Sequence, residues 1–235
     1  MRNWLTFNGK SSKEYGVYIS GLNTFNSAER DTESISVPGR NGDLTFDNGR
    51  FKNVDITYPA FIYADFDNNV EGLRNFLLSQ RGYKRLEDTY HPDEYRMARY
   101  KGNFVTEVVD WLAAGQFDLV FDCYPQRFLK SGDQIITLES DGNIFNEYQE
   151  SKPLIRAYGT GSFSIGGITI TIDTADDYTD IDCDLQEAYK DDMSVNCNGN
   201  ITLTSGSFPV LNPGDNEIVI EDITKLEIKP RWWIL

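Results

Sequence analysis

The sequence predicts a mainly β chain in two domains, with α+β character confined to the first. Three observations predict it. Residues 117–123 alternate Phe117, Leu119, Phe121 and Cys123 with Asp118, Val120 and Asp122, the period of two of a strand with one apolar face. One stretch, 69–81, carries helical spacing. After Pro125, which cannot donate to a sheet ladder, and the Ser131-Gly132 turn, only short strands and turns follow. The boundary falls there, giving an N-terminal domain over 1–130 and a C-terminal domain over 131–235.

In the first part, residues 4–7 and 15–19 read as strands separated by turn residues, and 34–37 as a short strand running into Pro38-Gly39 and Asn41-Gly42. Residues 54–64 read as a longer strand, with Pro59 implying an edge or a bulge. The helix over 69–81 has the apolar stripe Val70, Leu73, Phe76 and Leu77. Asn68 and Glu71 have the form of a capping box, and Gly82 that of a left-handed C-terminal cap. Gly72 weakens the helix interior by about 0.5–1 kcal/mol, so the helix must depend on packing. Residues 102–109 and 117–123 form a hairpin with Trp111, Leu112 and Gly115 in its loop. In the second part, strands near 134–139, 154–158, 168–172, 180–185, 200–204, 217–221 and 225–228 are spaced by Gly- and Asn-rich turns, the pattern of an antiparallel sandwich.

Composition narrows function. The 37 Asp and Glu against 22 Lys and Arg give a formal net charge of −15, which opposes phosphate neutralisation and so excludes a general nucleic-acid binder. Cys123, Cys183 and Cys197 are an odd set with no disulfide framework, and read as reduced, partly buried thiols. The opening MRNWLTFNGKSS lacks the apolar core of a signal peptide, and no run approaches the ~20 apolar residues of a membrane span. The expectation is a protein made in a cytoplasm, without a membrane and without its own export signal.

No catalytic set is visible. His91 is the single histidine, lies in the turn-like Tyr90-His91-Pro92-Asp93, and has no Gly-x-Ser-x-Gly elbow to serve. Cys183 and Cys197 are too far apart for a zinc knuckle. Asp180, Asp182 and Asp184 imitate the start of a calcium loop, but Leu185 stands where Gly is needed and Asp191 where Glu is needed. The simpler expectation has Ile181, Cys183 and Leu185 facing a core and the three aspartates facing water. Gly159-Thr160-Gly161 lacks the Lys-Ser/Thr of a phosphate loop, and Ser164 replaces the third glycine of a dinucleotide fingerprint. No cofactor and no metal are expected. Trp232 and Trp233 are candidates for sugar stacking, although neighbours on one strand face opposite ways. The candidate binding surface is the basic, tyrosine-rich run: Arg81, Tyr83, Lys84, Arg85, Tyr90, Tyr95, Arg96, Arg99, Tyr100 and Lys101, interleaved with Glu87, Asp88, Asp93 and Glu94. Tyr and Arg are the residues that interfaces enrich, while a self-compensated solvated surface is the plain alternative.

Several motifs together resemble the distal tail protein (Dit) family of long-tailed, non-contractile bacteriophages. They are VPGRNG at 37–42, GYKRLEDTYHPDEYRMARY at 82–100, CYPQRFLKSG at 123–132, KPLI at 152–155, NPGDN at 212–216 and PRWW at 230–233. The resemblance implies an N-terminal β-sandwich with a helix and a hairpin that assembles into a homohexameric ring. It further implies a C-terminal galectin-like sandwich projecting outward. It implies a structural hub in the virion tail tip, assembled in the host cytoplasm. Its partners would be the tail tube protein, the tip protein (a lysin or fibre) and, in some members, receptor-binding proteins. The ring contact would use the basic run, and an acidic channel would let DNA pass without binding it. A carbohydrate-binding module for host attachment is the alternative, and a cell-wall hydrolase ranks third for want of a triad or metal set.

Overall fold

The structure is a computed structural model describing residues 2–21, 26–62, 65–102, 106–109, 114–174 and 177–235. It divides into two compact units, Met1–Arg127 together with Leu235, and Phe128–Ile234.

The first unit holds strands β1 (Leu5–Phe7), β2 (Lys10–Ser11), β3 (Val17–Ile19), β4 (Arg30–Ile35), β5 (Leu44–Phe51) and β6 (Val54–Ile62). Helix α1 (Phe66–Ser79) follows, then β7 (Lys84–Asp88), β8 (Glu94–Tyr100), β9 (Thr106–Val109) and β10 (Ala114–Cys123). The main sheet runs β2-β1-β7-β8-β10-β6-β3. One flank of β10 is taken entirely by β6, from Gly115 opposite Ile62 to Cys123 opposite Val54. The other flank is shared: β9 pairs with its first half and β8 with its last three residues. The pairing of β9 with β10 forms the hairpin that the periodicity predicts, with Gly115 inside the strand rather than in the loop. Trp111 and Leu112 lie outside the described residues.

Alternation decides the core. Phe117, Leu119, Phe121 and Cys123 of β10 are buried with Val54, Ile56, Tyr58, Ala60 and Ile62 of β6. Helix α1 closes this core with Val70, Leu73 and Leu77, three of the four predicted stripe residues. Phe76 packs at its margin, stacked on Tyr15 at 5.9 Å and edge-on to Phe7 at 6.4 Å. The helix differs from expectation at both ends. It begins at Phe66 after Asp65, whose backbone is left-handed and whose side chain caps nothing, so Asn68 and Glu71 lie inside it. It ends at Ser79, with an extended Gln80 as cap, two residues before Gly82. Burying Phe66 against the sheet accounts for the early start. Gly72 has a packing reason: a Cβ there would stand 3.2 Å from the Tyr15 ring.

Pro59 lies neither at an edge nor at a bulge. It faces Asp118 in unbroken register, between β10 and β3. Its carbonyl accepts from the Ser20 amide at 2.7 Å, on the flank where β3 has just ended. The nitrogen that lacks a proton faces that same flank, so no ladder bond is lost.

β4 and β5 stand apart as a two-stranded ribbon. Its second strand is absent from the sequence reading, which passes from the Pro38-Gly39 and Asn41-Gly42 turns to the strand at 54–64. Ile35 lies opposite Leu44 and Glu33 opposite Phe46, so all four share one face of the ribbon. The three apolar side chains on it are 54%, 42% and 61% exposed.

Strand β11 (Arg127–Leu129) leads into the second unit, which contains β12 (Ile136–Leu138), β13 (Gly142–Asn146), β14 (Leu154–Tyr158), β15 (Gly161–Ile165), β16 (Ile168–Ile172), β17 (Tyr178–Asp182) and β18 (Glu187–Lys190). It continues with β19 (Val195–Asn196), β20 (Ile201–Leu203), β21 (Gly214–Glu221), β22 (Lys225–Lys229) and β23 (Trp233–Ile234). Two antiparallel sheets, β12-β22-β14-β17-β18-β19 and β13-β21-β15-β16-β20, share one core. Ile155, Ile181, Leu226 and Ile228 come from the first, and Phe163, Ile165, Ile170 and Ile218 from the second. This is the sandwich that the turn spacing predicts.

The chain enters this unit through a short 3-10 turn, Lys130–Asp133. There the Leu129 amide donates to the Trp232 carbonyl and the Arg231 amide to the Gly132 carbonyl, both at 2.8 Å. A Cβ on Gly132 would lie 2.2 Å from the Trp232 nitrogen, a backbone atom that these bonds hold in place. Gly132→Ala is therefore expected to destabilise the second unit by about 1–3 kcal/mol, read as a lower denaturant midpoint. An unchanged midpoint would show that the two backbones separate freely here.

Candidate subunit interface

The basic run folds as the β7–β8 hairpin, with Lys84 opposite Ala98, Arg85 opposite Met97 and Leu86 opposite Arg96. This register divides the candidate residues between two faces. Leu86 and Ala98 are buried, so Arg96 and Tyr100, in phase with Ala98, point inward. Arg85, Tyr95 and Arg99 point outward. Tyr100 joins the core, edge-on to Phe121 at 5.5 Å, and burial raises its hydroxyl above its ordinary value. Tyr90 packs at the margin of that core and donates to the Gly21 carbonyl at 3.3 Å. Arg81 is exposed beyond the end of α1.

The outward basic residues are neutralised within the chain. Arg85 meets Glu87 at 2.6 Å and lies 3.7 Å from the centre of the Tyr95 ring. Arg99 meets Asp122 at 2.6 Å, and Lys101 meets Asp55 at 2.5 Å. Asp122 is the hub of a small network. Its two oxygens also accept from the Asn53 amide at 2.9 Å and the Tyr83 hydroxyl at 3.0 Å. Burial would raise this carboxyl, but Arg99, Asn53 and Tyr83 outweigh it and hold it below the usual range. Tyr83 leans on Tyr124 with ring centres 4.2 Å apart. Charge on this face is thus mostly satisfied at home, which leaves aromatic area as its main offering.

On the inward side is a cleft of about 20 Å³, lined by Tyr58, Asp88, His91, Glu94, Arg96 and Arg127 among others. Asp88 accepts from the Tyr58 hydroxyl at 2.7 Å and from the Tyr90 and His91 amides at 2.9 Å each. His91 Nδ1 stands 3.3 Å from the same carboxylate. No serine or cysteine lines this cleft, so a histidine beside a carboxylate has no nucleophile to activate there. The three thiols are buried and unlinked, and burial pushes those of Cys123 and Cys183 up to about 12. Such thiols are inert at neutral pH. Among the described residues, no group of three or more His, Cys, Asp or Glu could hold a metal ion, and no helix is long and apolar enough to cross a membrane.

The aspartate triplet departs from the sequence expectation. Asp180 and Asp182 are buried, while Leu185 is 51% exposed. Arg156 grips Asp180 through two bonds of 2.7 and 2.8 Å, and Arg231 grips Asp182 through two of 2.8 and 2.7 Å. The partners lie 24 and 49 residues away, beyond the reach of local pattern reading. Trp232 is buried beside Tyr148, and Trp233 donates its ring N–H to the Glu150 carbonyl at 2.8 Å. The two rings therefore form no joint stacking platform, and only Trp233 keeps partial exposure.

Solved chains of phage tail hub and baseplate proteins share the fold just described, with one helix among the described residues of the first unit and a two-sheet sandwich in the second. The SPP1 Dit protein, described as a paradigm of the hub adsorption apparatus in phages infecting Gram-positive hosts, shares this fold. Its TM-score is 0.71 at 12% identity, over 96% of this chain and 97% of its own. A chain of the phage P2 baseplate in its activated conformation with calcium gives 0.57 at 11% identity, over 100% and 98%. The corresponding structure with strontium gives 0.57 at 9% identity, over 97% and 96%. At these identities the likeness is one of fold. No protein-family model matches the sequence, and no curated protein matches it.

The Asp182–Arg231 pair generates a pH prediction. Burial would raise the Asp182 carboxyl, but the Arg231 fork and the Leu185 and Asp184 amides hold it below its ordinary value of 3.8. A carboxyl depressed by folding stabilises the fold above its unfolded value, and that contribution is lost as pH falls through the folded value. The loss therefore falls below about pH 4. Asp182→Asn should destabilise the second unit by about 2 kcal/mol at pH 7. It should also flatten the acid limb of a stability-against-pH curve measured by urea melts. An acid limb as steep as wild type would show that the pair carries none of it.

Proposed function

We propose that this chain is a structural hub of a phage tail tip, six copies forming a ring that joins the tail tube to the tip protein. The observation that carries the reading is a fold shared over nearly the whole chain with a Dit hub protein and with baseplate chains. The ring is built by the first unit, and the second is the outward sandwich, available to receptor-binding proteins. The role is mechanical rather than catalytic, in keeping with inert thiols and a histidine without a nucleophile. The protein resides in the virion tail.

The ribbon of β4 and β5 supports assembly. A two-stranded ribbon is marginal alone in water. Here one face offers Ile35, Leu44 and Phe46 to solvent. Burying such a face against a neighbour supplies apolar stabilisation that charge cannot, since copies of net charge −15 repel one another. The same acidity lets DNA move through a ring without phosphate neutralisation.

Negative-stain electron microscopy and native mass spectrometry of the purified chain should show six-fold rings and a mass of six copies. A monomer at every accessible concentration would overturn the reading. Phe46→Asp should weaken the assembly by about 2 kcal/mol per contact, the burial of one large apolar side chain. It should leave circular dichroism unchanged, because that side chain is 61% exposed in the single copy. Rings of undiminished stability would remove the ribbon from the contact.

A further inference from the structure

The cleft beneath the β7–β8 hairpin holds two guanidinium groups, those of Arg96 and Arg127. Arg96 lines it from the inward face of β8, and among the described residues it makes no hydrogen bond and no ion pair within 4 Å. Burial lowers its proton affinity below the ordinary guanidinium value, and the nearby Arg127 adds to this. Arg127 touches Glu94 only at 3.5 Å through Nη1, and its Nε–H is buried with no acceptor. Asp88 cannot turn to Arg96, since its oxygens already take the Tyr58 hydroxyl, two backbone amides and the His91 ring. Two guanidinium groups thus share the cleft with two carboxylates, of which Asp88 is engaged by the Tyr58 hydroxyl and by the amides and ring of its own turn, and Glu94 meets only Arg127, at 3.5 Å. Arg96 is half-buried, so water reaches part of its charge, whereas the Arg127 Nε–H is shut away, and a bidentate carboxylate is the acceptor that a guanidinium fork fits best.

The dimensions restrict what enters. About 20 Å³ holds one water-sized group, room for one oxygen of a carboxylate but not for a sugar ring. Arg127 and Glu94 keep 23% and 21% of their side-chain surface, so the cleft opens outward. Arg85, Arg99 and Lys101 have acidic partners within the chain, so they are not the cations left to meet a neighbour.

We propose that this cleft is a socket for an Asp or Glu side chain of a second copy of the chain, its carboxylate accepting from Arg96 and from Nε–H of Arg127. The proposal rests on the hub reading, in which copies pack side by side. The chain supplies the ligand in quantity, with 37 carboxylates against 22 Lys and Arg. One inserted acid per contact sets register, as a buried, hydrogen-bonded charge pair does across other interfaces.

The test compares wild type with Arg96→Met, which keeps the apolar stem and removes the charge. Assembly is followed by mass photometry across a dilution series, and the dilute monomer by thermal melting. In Arg96→Met the midpoint concentration for assembly should rise at least about tenfold, as loss of a buried charge-pair partner requires. The monomer should melt at the same temperature or higher, because a half-buried charge without an acidic partner has been removed. Assembly at the wild-type midpoint would mean the cleft holds only water, overturning the socket while leaving the hub reading intact. Weakened assembly with a less stable monomer would place the role of Arg96 inside one copy and also overturn it. A wild-type chain that stays monomeric overturns both readings.

Discussion

The first unit depends on the pairing of β10 with β6. Nine consecutive residue pairs lock these strands in register, from Gly115 opposite Ile62 to Cys123 opposite Val54. Because side chains alternate, a slip of one residue would turn Phe117, Leu119, Phe121 and Cys123 away from α1 and expose them. The same register sets the other face of β10. There Asp122 is 6% exposed, yet it is anchored by Arg99, Tyr83 and Asn53. One strand therefore supplies a core on one side and the anchor of the basic run on the other. The geometry of the candidate interface follows from the geometry of the core.

The second unit solves a different problem. Its sheets bury carboxylates that a sandwich would ordinarily leave in water, and each is matched by an arginine fork from another segment. Breaking such a pair costs more than the pair contributes over an apolar replacement, so these residues serve specificity of arrangement as much as stability. Asp182 and Arg231 join the end of β17 to the segment just before β23, while the backbone bonds at Leu129 and Gly132 meet that same segment. Entry and exit of the chain in this unit are thus fastened side by side. Gly132 permits it by having no Cβ where the Trp232 backbone passes.

Charge runs through the functional reading in two scales. Over the whole chain an excess of carboxylates disfavours nucleic acid and makes like copies repel. Locally, Arg30, Arg50, Arg85 and Arg99 are already answered by carboxylates, so a count of basic residues overstates what the surface offers a partner. What distinguishes a candidate contact is therefore an unmet group: an apolar ribbon face around Phe46, or a half-buried guanidinium at Arg96 without an acceptor among the described residues.

Local pattern determined the β character, the α1 stripe, the β9–β10 hairpin and the sandwich of the second half. Each is a period of two or 3.6 residues, or a turn, written within a few consecutive positions. The resemblance in its motifs also pointed to the hub class whose fold the structure has. Local pattern mislaid β5, because Asn41-Gly42 and Asn48-Gly49 look like turns whatever lies between them. It placed the helix three residues late, because Phe66 is anchored by a sheet that a helical window does not see. The period of two in 94–100 could have separated Arg96 and Tyr100 from Tyr95 and Arg99, and was the one readable signal left unused. Whether Asp182 faces water, whether Arg99 is free, whether Trp232 can stack on a ligand and whether Arg96 has a partner were decided by tertiary structure alone. These outcomes turn on residues that meet across sheets and loops, 23 positions apart for Arg99 and Asp122 and 49 for Asp182 and Arg231. The burial of a charge is a property of its neighbours in space, which no local period encodes.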